Sequence, residues 1–206
     1  MVCLMAREST PADVSPAIRL AEAVCAVIAD HGLERASIRE VASEAGVSIG
    51  AVQHHFRTKD DMLVFVFEHI VRATTDRVRQ VPLGQSIAQN LSLVLRELLP
   101  LDATRQREAR VYVAFAARAA TSPRLAAVQA ETLAQITGQL AEVIERAGSQ
   151  GKPVSTFLLS ARDEAALLLA VADGLMFDAI TCPDNLDPGR LTTLLDAYLT
   201  RLLGGF

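Results

Sequence analysis

Residues 37–59 constrain the fold more than any other stretch, because they encode two capped helices joined by a tight turn. Ser37-Ile38-Arg39-Glu40 has the form of a capping box. The Ser hydroxyl accepts from the amide three residues on, and the Glu reaches back to the Ser amide. Ile38, Val41, Ala42 and Ala45 then share one helical face. In Ala45-Gly46-Val47 the glycine takes a positive φ at no steric cost. Ser48 caps a second helix, with Ala51, Val52 and Phe56 as its apolar anchors. Two short helices around a glycine turn make a helix-turn-helix, and the second helix of such a unit enters the DNA major groove. Ser48, Ile49 and Gly50 form its first turn, the part deepest in the groove. Ile49 suits a thymine methyl. Gly50 either allows close backbone approach to DNA or serves packing between helices.

Charge does not announce a nucleic-acid partner. The 206 residues carry a net charge of −4, and the first 61 hold six Lys/Arg against nine Asp/Glu. Only the layout is favourable: Arg39, His54, His55, Arg57 and Lys59 gather around the turn, whereas most acids lie elsewhere. Half of the residues are hydrophobic, which is enough for a sizeable core, while aromatics make up 4% and Trp is absent. With Ala and Leu dominant and no alternating β-branched runs, the chain reads as all-α. Cys3, Cys25 and Cys182 are odd in number and far apart, which argues against a disulfide framework or a zinc knuckle and fits a reducing cytoplasm. Arg7, Glu8 and Asp13 interrupt any secretory h-region. The longest apolar run, Ala165 to Ala172, is well short of the roughly 20 residues that span a bilayer. A soluble protein without a membrane partner is expected.

Punctuation along the chain divides it into about nine helices. Residues 1–13 read as a flexible arm, within which Met5 is a second candidate start. A helix from Ser15-Pro16 ends at Gly32, a suitable left-handed cap. Residues 14–58 form the three-helix DNA-binding domain, with the motif at 37–56. Thr58 caps a connecting helix over 59–80, whose first-turn acids suit the helix dipole. Val81-Pro82-Leu83-Gly84 breaks the chain and opens the C-terminal domain, 81–206. Five helices follow, at about 85–99, 103–120, 123–148, 158–181 and 188–203, punctuated by Pro100, Ser122-Pro123, Gly148 to Gly151, Cys182-Pro183 and Asp187-Pro188.

The helix around 165–172 is apolar on every side, so it must be buried on every side. One face meets the home core and the other a second subunit, with the 188–203 helix as its neighbour in a four-helix bundle of two chains. Leu167, Leu168, Val171, Leu175, Leu191, Leu195, Tyr198 and Leu202 are the candidate interface residues. The alternative is a helix sandwiched inside a monomer. Readers of DNA by this motif commonly act as twofold dimers, which favours the homodimer.

From Ile18 to Ile70 the chain closely resembles the N-terminal domain of TetR-type transcriptional repressors. HGLERASIREVASEAGVS, then GAVQHHF, then RTKDDML carry the likeness. Beyond residue 80 it extends only to helix count and to Asp173-Gly174-Leu175. Two positions depart from the family, which often has Lys where this chain has Ile49 and Tyr where it has Gln53. The first change removes a phosphate contact. The second supplies a side chain able to pair with adenine N6 and N7.

The resemblance implies a ligand-responsive homodimeric repressor that binds a palindromic double-stranded operator in a bacterial cytoplasm, on the nucleoid, and is released by a small hydrophobic effector. It implies phosphate contacts for Ser37 and Arg39, although Ser37 also serves as a cap and Arg39 is equally at home as a solvated charge. It further implies that His54 touches phosphate while His55 packs toward the domain, and that Lys59 is a phosphate ligand at a helix N-terminus. The implied effector site lies between helices of a C-terminal ligand-binding and dimerisation bundle. Its candidates are the polar or aromatic residues that interrupt apolar helices: Tyr112, Phe115, Arg118, Asp173, Phe177 and Asp178. Each has a plainer reading as core or surface. No cofactor is expected, and no metal, since His31 and His69 offer no ligand spacing. No catalytic triad, H-E-x-x-H or phosphate loop points to an enzyme. The rival reading is a helical ligand-binding or scaffold protein that has lost operator binding. Activation in place of repression stays open.

Overall fold

The computed structural model describes residues 15–84, 86–149 and 159–203. The expected arm at 1–13, the choice between Met1 and Met5, and part of the expected break at Gly148 to Gly151 lie outside them. Among the described residues the chain is all-α. Its helices are α1 (Pro16–His31), α2 (Ile38–Ala45), α3 (Ile49–His55), α4 (Lys59–Gln80), α5 (Ile87–Arg96), α6 (Ala103–Ala119), α7 (Pro123–Ser149), α8 (Ala161–Thr181) and α9 (Pro188–Leu203), with a 3-10 turn at Leu33–Arg35. No described helix is long and apolar enough to cross a membrane.

The helix ends follow local chemistry, with three revisions. Gly46 is left-handed, at φ 64° and ψ 33°, and closes α2 as expected. Gly32, at φ 79° and ψ 161°, instead occupies an extended positive-φ region that only glycine visits freely. At α2 the box is half formed. The Ser37 hydroxyl accepts from the Glu40 amide at 3.2 Å, but it donates to the Glu40 carboxylate at 2.9 Å, so the Ser37 amide is left out. The complete reciprocal box is at α4, between Thr58 and Asp61. Finally, α5 stops at Arg96. The residues before Pro100 tighten into shorter-range bonds, Leu98 to Leu95 and Leu99 to Arg96, because a proline disfavours α geometry just ahead of it.

Two apolar cores are built. The first joins α1–α4 to Val111, Phe115 and Ala119 of α6 and Leu125 of α7. The second is made by α5–α9. Tyr112 packs on both. The first core therefore runs across the break at 81–84, because Phe67 of α4 stacks on Phe115 with ring centroids 4.0 Å apart. At its far end α4 is tied down by Arg77, which donates to Glu97 at 3.1 Å and to both oxygens of Glu108.

Two faces of α8 are occupied differently. Leu168 lies fully within the home core, as do Leu191 and Leu195 of α9, so these three do not face a second subunit. The α9 leucine stripe is used up inside its own chain, in the second core. Val171, Leu175, Tyr198 and Leu202 are half-buried. Leu167 is 46% exposed and Phe177 50% exposed, aligned along α8 with exposed Ala166, Ala170 and Gly174. Leu194 and Ala197 of α9 are exposed as well.

Candidate nucleic-acid interface and interior site

Helix α3 is a short platform. Val52 and the adjoining Phe56 are buried, which turns Ser48, Ile49, Gly50, Gln53 and His54 outward together. Ile49, a large apolar side chain, is 44% exposed. Ala51, expected as an anchor, is exposed too, because Val52 alone in the helix faces the core. His55 also departs from expectation. Instead of packing inward it is exposed, edge-on to His54 with centroids 5.8 Å apart. At Gly50 a Cβ would meet nothing nearer than the Ser48 hydroxyl at 4.0 Å. Close helix packing is therefore not what the glycine serves.

Around this platform Ser37 is half-buried and Arg39 exposed. Lys59 is less free than its position suggests. Its ammonium donates to the Leu33 carbonyl at 3.3 Å and the Glu34 carbonyl at 2.7 Å, stapling the start of α4 to the 3-10 turn ahead of α2. Only one of its three hydrogens remains for another acceptor. Arg57, counted in the sequence among the basic groups around the turn but given no contact, is exposed at the joint between α3 and α4. Its position one residue before the Thr58 cap was the available signal.

The same joint is held by two carboxylates. Asp61 accepts from the Arg57 and Thr58 amides at 3.1 and 2.9 Å and from Arg124 of α7 at 2.6 Å. Asp60 accepts from Arg118 of α6 at 2.9 Å and from the Ser122 hydroxyl at 3.1 Å. These bonds hold the Asp61 carboxyl down at about 2, with the Arg124 bond foremost, and the Arg118 bond lowers Asp60. Arg118 thus belongs to this seam and not to the interior.

Deeper in, between the two cores, the Tyr112 hydroxyl of α6 donates to Asp173 of α8 at 3.3 Å. Burial raises the Asp173 carboxyl and also raises the Tyr112 phenol, which the neighbouring carboxylate pushes further. Gln129 of α7, unforeseen, works against that rise. Of the six effector candidates, the fold brings only Tyr112 and Asp173 together. Phe115 is fully buried as core, while Phe177 and Asp178 point outward from α8. Among the described residues no group of His, Cys, Asp and Glu could hold a metal ion. A shallow groove of about 300 Å³ lies elsewhere, between α5 and α9, where Asp196 is bonded to Ser92 and Arg96.

Two family descriptions match the sequence. "Bacterial regulatory proteins, tetR family" matches residues 20–65, and "BetI-type transcriptional repressor, C-terminal" matches residues 87–204. The chain is 36% identical to the HTH-type transcriptional regulator PksA of Bacillus subtilis over 102 residues, 49% of this chain and about half the length of that relative (50%). It is 26% identical to the HTH-type transcriptional regulator BetI 2 of Chromohalobacter salexigens, covering 90% of this chain and 87% of the other. Among solved structures, a transcriptional regulator from Rhodococcus sp. Rha1 is 46% identical with a TM-score of 0.81, covering 93% of this chain and 97% of that one. A regulator from Saccharomonospora viridis in complex with choline shares the fold at a TM-score of 0.79 and 21% identity, over 89% and 94% of the two chains.

Proposed function

Since the chain belongs to the TetR family of bacterial transcriptional regulators, with a helix-turn-helix and a ligand-binding C-terminal domain, we propose that it is a homodimeric repressor released from a palindromic operator by a small hydrophobic effector. The observation that carries this is the outward row Ser48, Ile49, Gly50, Gln53 and His54 on α3, held by a buried Val52. Ile49 lies on a thymine methyl, Gln53 reads adenine, and Ser37, Arg39, Arg57 and the remaining donor of Lys59 hold phosphate. The exposed row Leu167, Ala170, Gly174 and Phe177 supports twofold pairing through α8, with Leu194 of α9 beside it.

Release is geometric. Half-site spacing is fixed by the dimer, and the effector favours a conformation whose recognition helices no longer match it. A 100-fold change in occupancy requires a differential affinity of about 2.7 kcal/mol. The half-buried Tyr112 and Asp173 support an effector site between the cores, and the choline complex of the Saccharomonospora neighbour supports a small ligand. The protein acts in the bacterial cytoplasm, on the nucleoid.

A gel shift against the DNA upstream of its own gene, repeated over a range of salt, tests the reading. With roughly eight phosphate contacts per dimer, the log-log salt slope is about −7. A salt-insensitive complex, or no complex, contradicts it. Gln53→Ala relaxes base preference, whereas Arg39→Ala weakens binding to all sequences alike.

A further inference from the structure

We propose that three ion pairs, Arg107–Asp30, Arg118–Asp60 and Arg124–Asp61, are positioning contacts that set which half-site spacing the dimer accepts, without touching DNA. This rests on reading the chain as a twofold operator-binding protein. The first 61 residues carry nine acids against six bases, an adverse balance for a part that meets phosphate. Three of those acids are engaged by the C-terminal bundle. Asp30 lies in the last turn of α1, and Asp60 and Asp61 lie in the first turn of α4. In each pair the carboxylate is on the DNA-binding side and the guanidinium is on α6 or α7. The two sides of the seam are therefore complementary in charge.

Two kinds of contact join the halves, and they act differently. Apolar packing on Val111, Phe115, Ala119 and Leu125 holds them together, but burial of apolar area has no direction and tolerates a small slide or tilt. Charge-assisted hydrogen bonds do have direction. Asp60 accepts from Arg118 at 2.9 Å and from buried Ser122 at 3.1 Å. Asp61 accepts from Arg124 at 2.6 Å, while its other oxygen holds the amides of Arg57 and Thr58. Those amides directly follow Phe56, the buried residue at the end of α3. A shift of the α6–α7 corner against α4 therefore breaks bonds where the recognition helix ends. The Arg107–Asp30 pair is looser, at 3.8 Å. It lies eleven residues before Arg118 on α6, about 16 Å along that helix, so the seam is held at two separated points. One point is a pivot, whereas two fix an angle. All three arginines are exposed, so their pairs add little to stability.

The test starts from an inverted repeat enriched by wild type from a random duplex pool, with copies in which one base pair is inserted or removed between the half-sites. Each base pair shifts a half-site by about 3.4 Å and turns it by about 35°. In gel-shift titrations wild type loses at least about tenfold in affinity at either altered spacing. The triple variant Arg107→Ala/Arg118→Ala/Arg124→Ala binds the enriched repeat about 3- to 10-fold more weakly, and its spacing penalty falls to about threefold or less, because apolar packing alone lets the platform tilt. Lysine at the same three positions regains part of the penalty, since an ammonium still meets the carboxylates. A merely destabilised protein weakens by one factor at every spacing and keeps the penalty, and urea unfolding measures its folded fraction directly. An alanine variant with the wild-type penalty overturns the proposal and leaves the operator reading standing. A wild type that binds all three spacings equally also overturns it. If wild type enriches no inverted repeat, both fall.

Discussion

Arg124, in the first turn of α7, donates to one oxygen of Asp61 at 2.6 Å, while the other oxygen of that carboxylate accepts the amides of Arg57 and Thr58. A single side chain thus joins the C-terminal bundle to the backbone where the recognition helix ends.

The contributions of this joint differ in size. Removing an N-cap costs about 1 kcal/mol, whereas an exposed ion pair is worth about 0–1 kcal/mol. Asp61→Ala loses both amide acceptors and the ion pair, Thr58→Ala loses the cap alone, and Arg124→Ala loses only the partly exposed pair. Urea unfolding therefore ranks the destabilisation as Asp61→Ala, then Thr58→Ala, then Arg124→Ala. A larger loss for Arg124→Ala than for Thr58→Ala would show that the inter-helix pair, not capping, dominates.

Acid acts on the same group. The folded state holds Asp61 at about 2, below its ordinary 3.8. Its contribution is complete above the ordinary value and is lost as pH falls from about 4 through about 2. Melting temperatures of wild type and Asp61→Asn differ at pH 6 and converge as pH falls through that interval, the last of the difference vanishing below the folded value. A difference at pH 2 as large as that at pH 6 would assign the effect to something other than ionisation.

Phe115 is fully buried and stacked on Phe67, so its truncation opens a cavity in the core shared by α4 and α6. Phe115→Ala costs about 3–5 kcal/mol in urea unfolding, the range for a large aromatic removed from a packed site. A loss near zero would mean that the two halves are not joined through this core.

Neighbouring leucines on α8 separate folding from association. Leu168→Ala lowers unfolding free energy by about 2–5 kcal/mol, since its side chain is wholly inside. Leu167→Glu leaves the fold intact and shifts the sedimentation of the protein from dimer to monomer, since its side chain is exposed on the apolar row. A Leu167→Glu protein that sediments like wild type removes α8 from the interface.

The local grammar of the chain was readable because it depends on near neighbours. Gly46, Ser48, Thr58, Pro123 and Pro188 set helix limits that the fold reproduces. What escaped reading was whatever depends on partners far along the chain. The apolarity of α8 led to the expectation of two buried faces, but in the chain Leu168 lies on an inner face, Leu191 and Leu195 of α9 are buried in the same core, and the face bearing Leu167 and Phe177 is exposed. Arg118 was indistinguishable from a pocket residue until Asp60, 58 positions earlier, was found beside it. Lys59 looked free because the carbonyls of Leu33 and Glu34 lie across a turn. Tyr112 and Asp173 were separately visible as polar interruptions, and only the packing of α6 on α8 brings them into contact.

Selecting bound duplexes from a random DNA pool, then measuring the mass of the complex on the enriched sequence, tests the central claim most directly. Enrichment of an inverted repeat, with half-sites spaced by about one helical turn or a multiple of it and occupied by an even number of chains, is the expected result. An asymmetric site filled by a single chain, or no enrichment at all, would contradict a twofold operator-binding regulator.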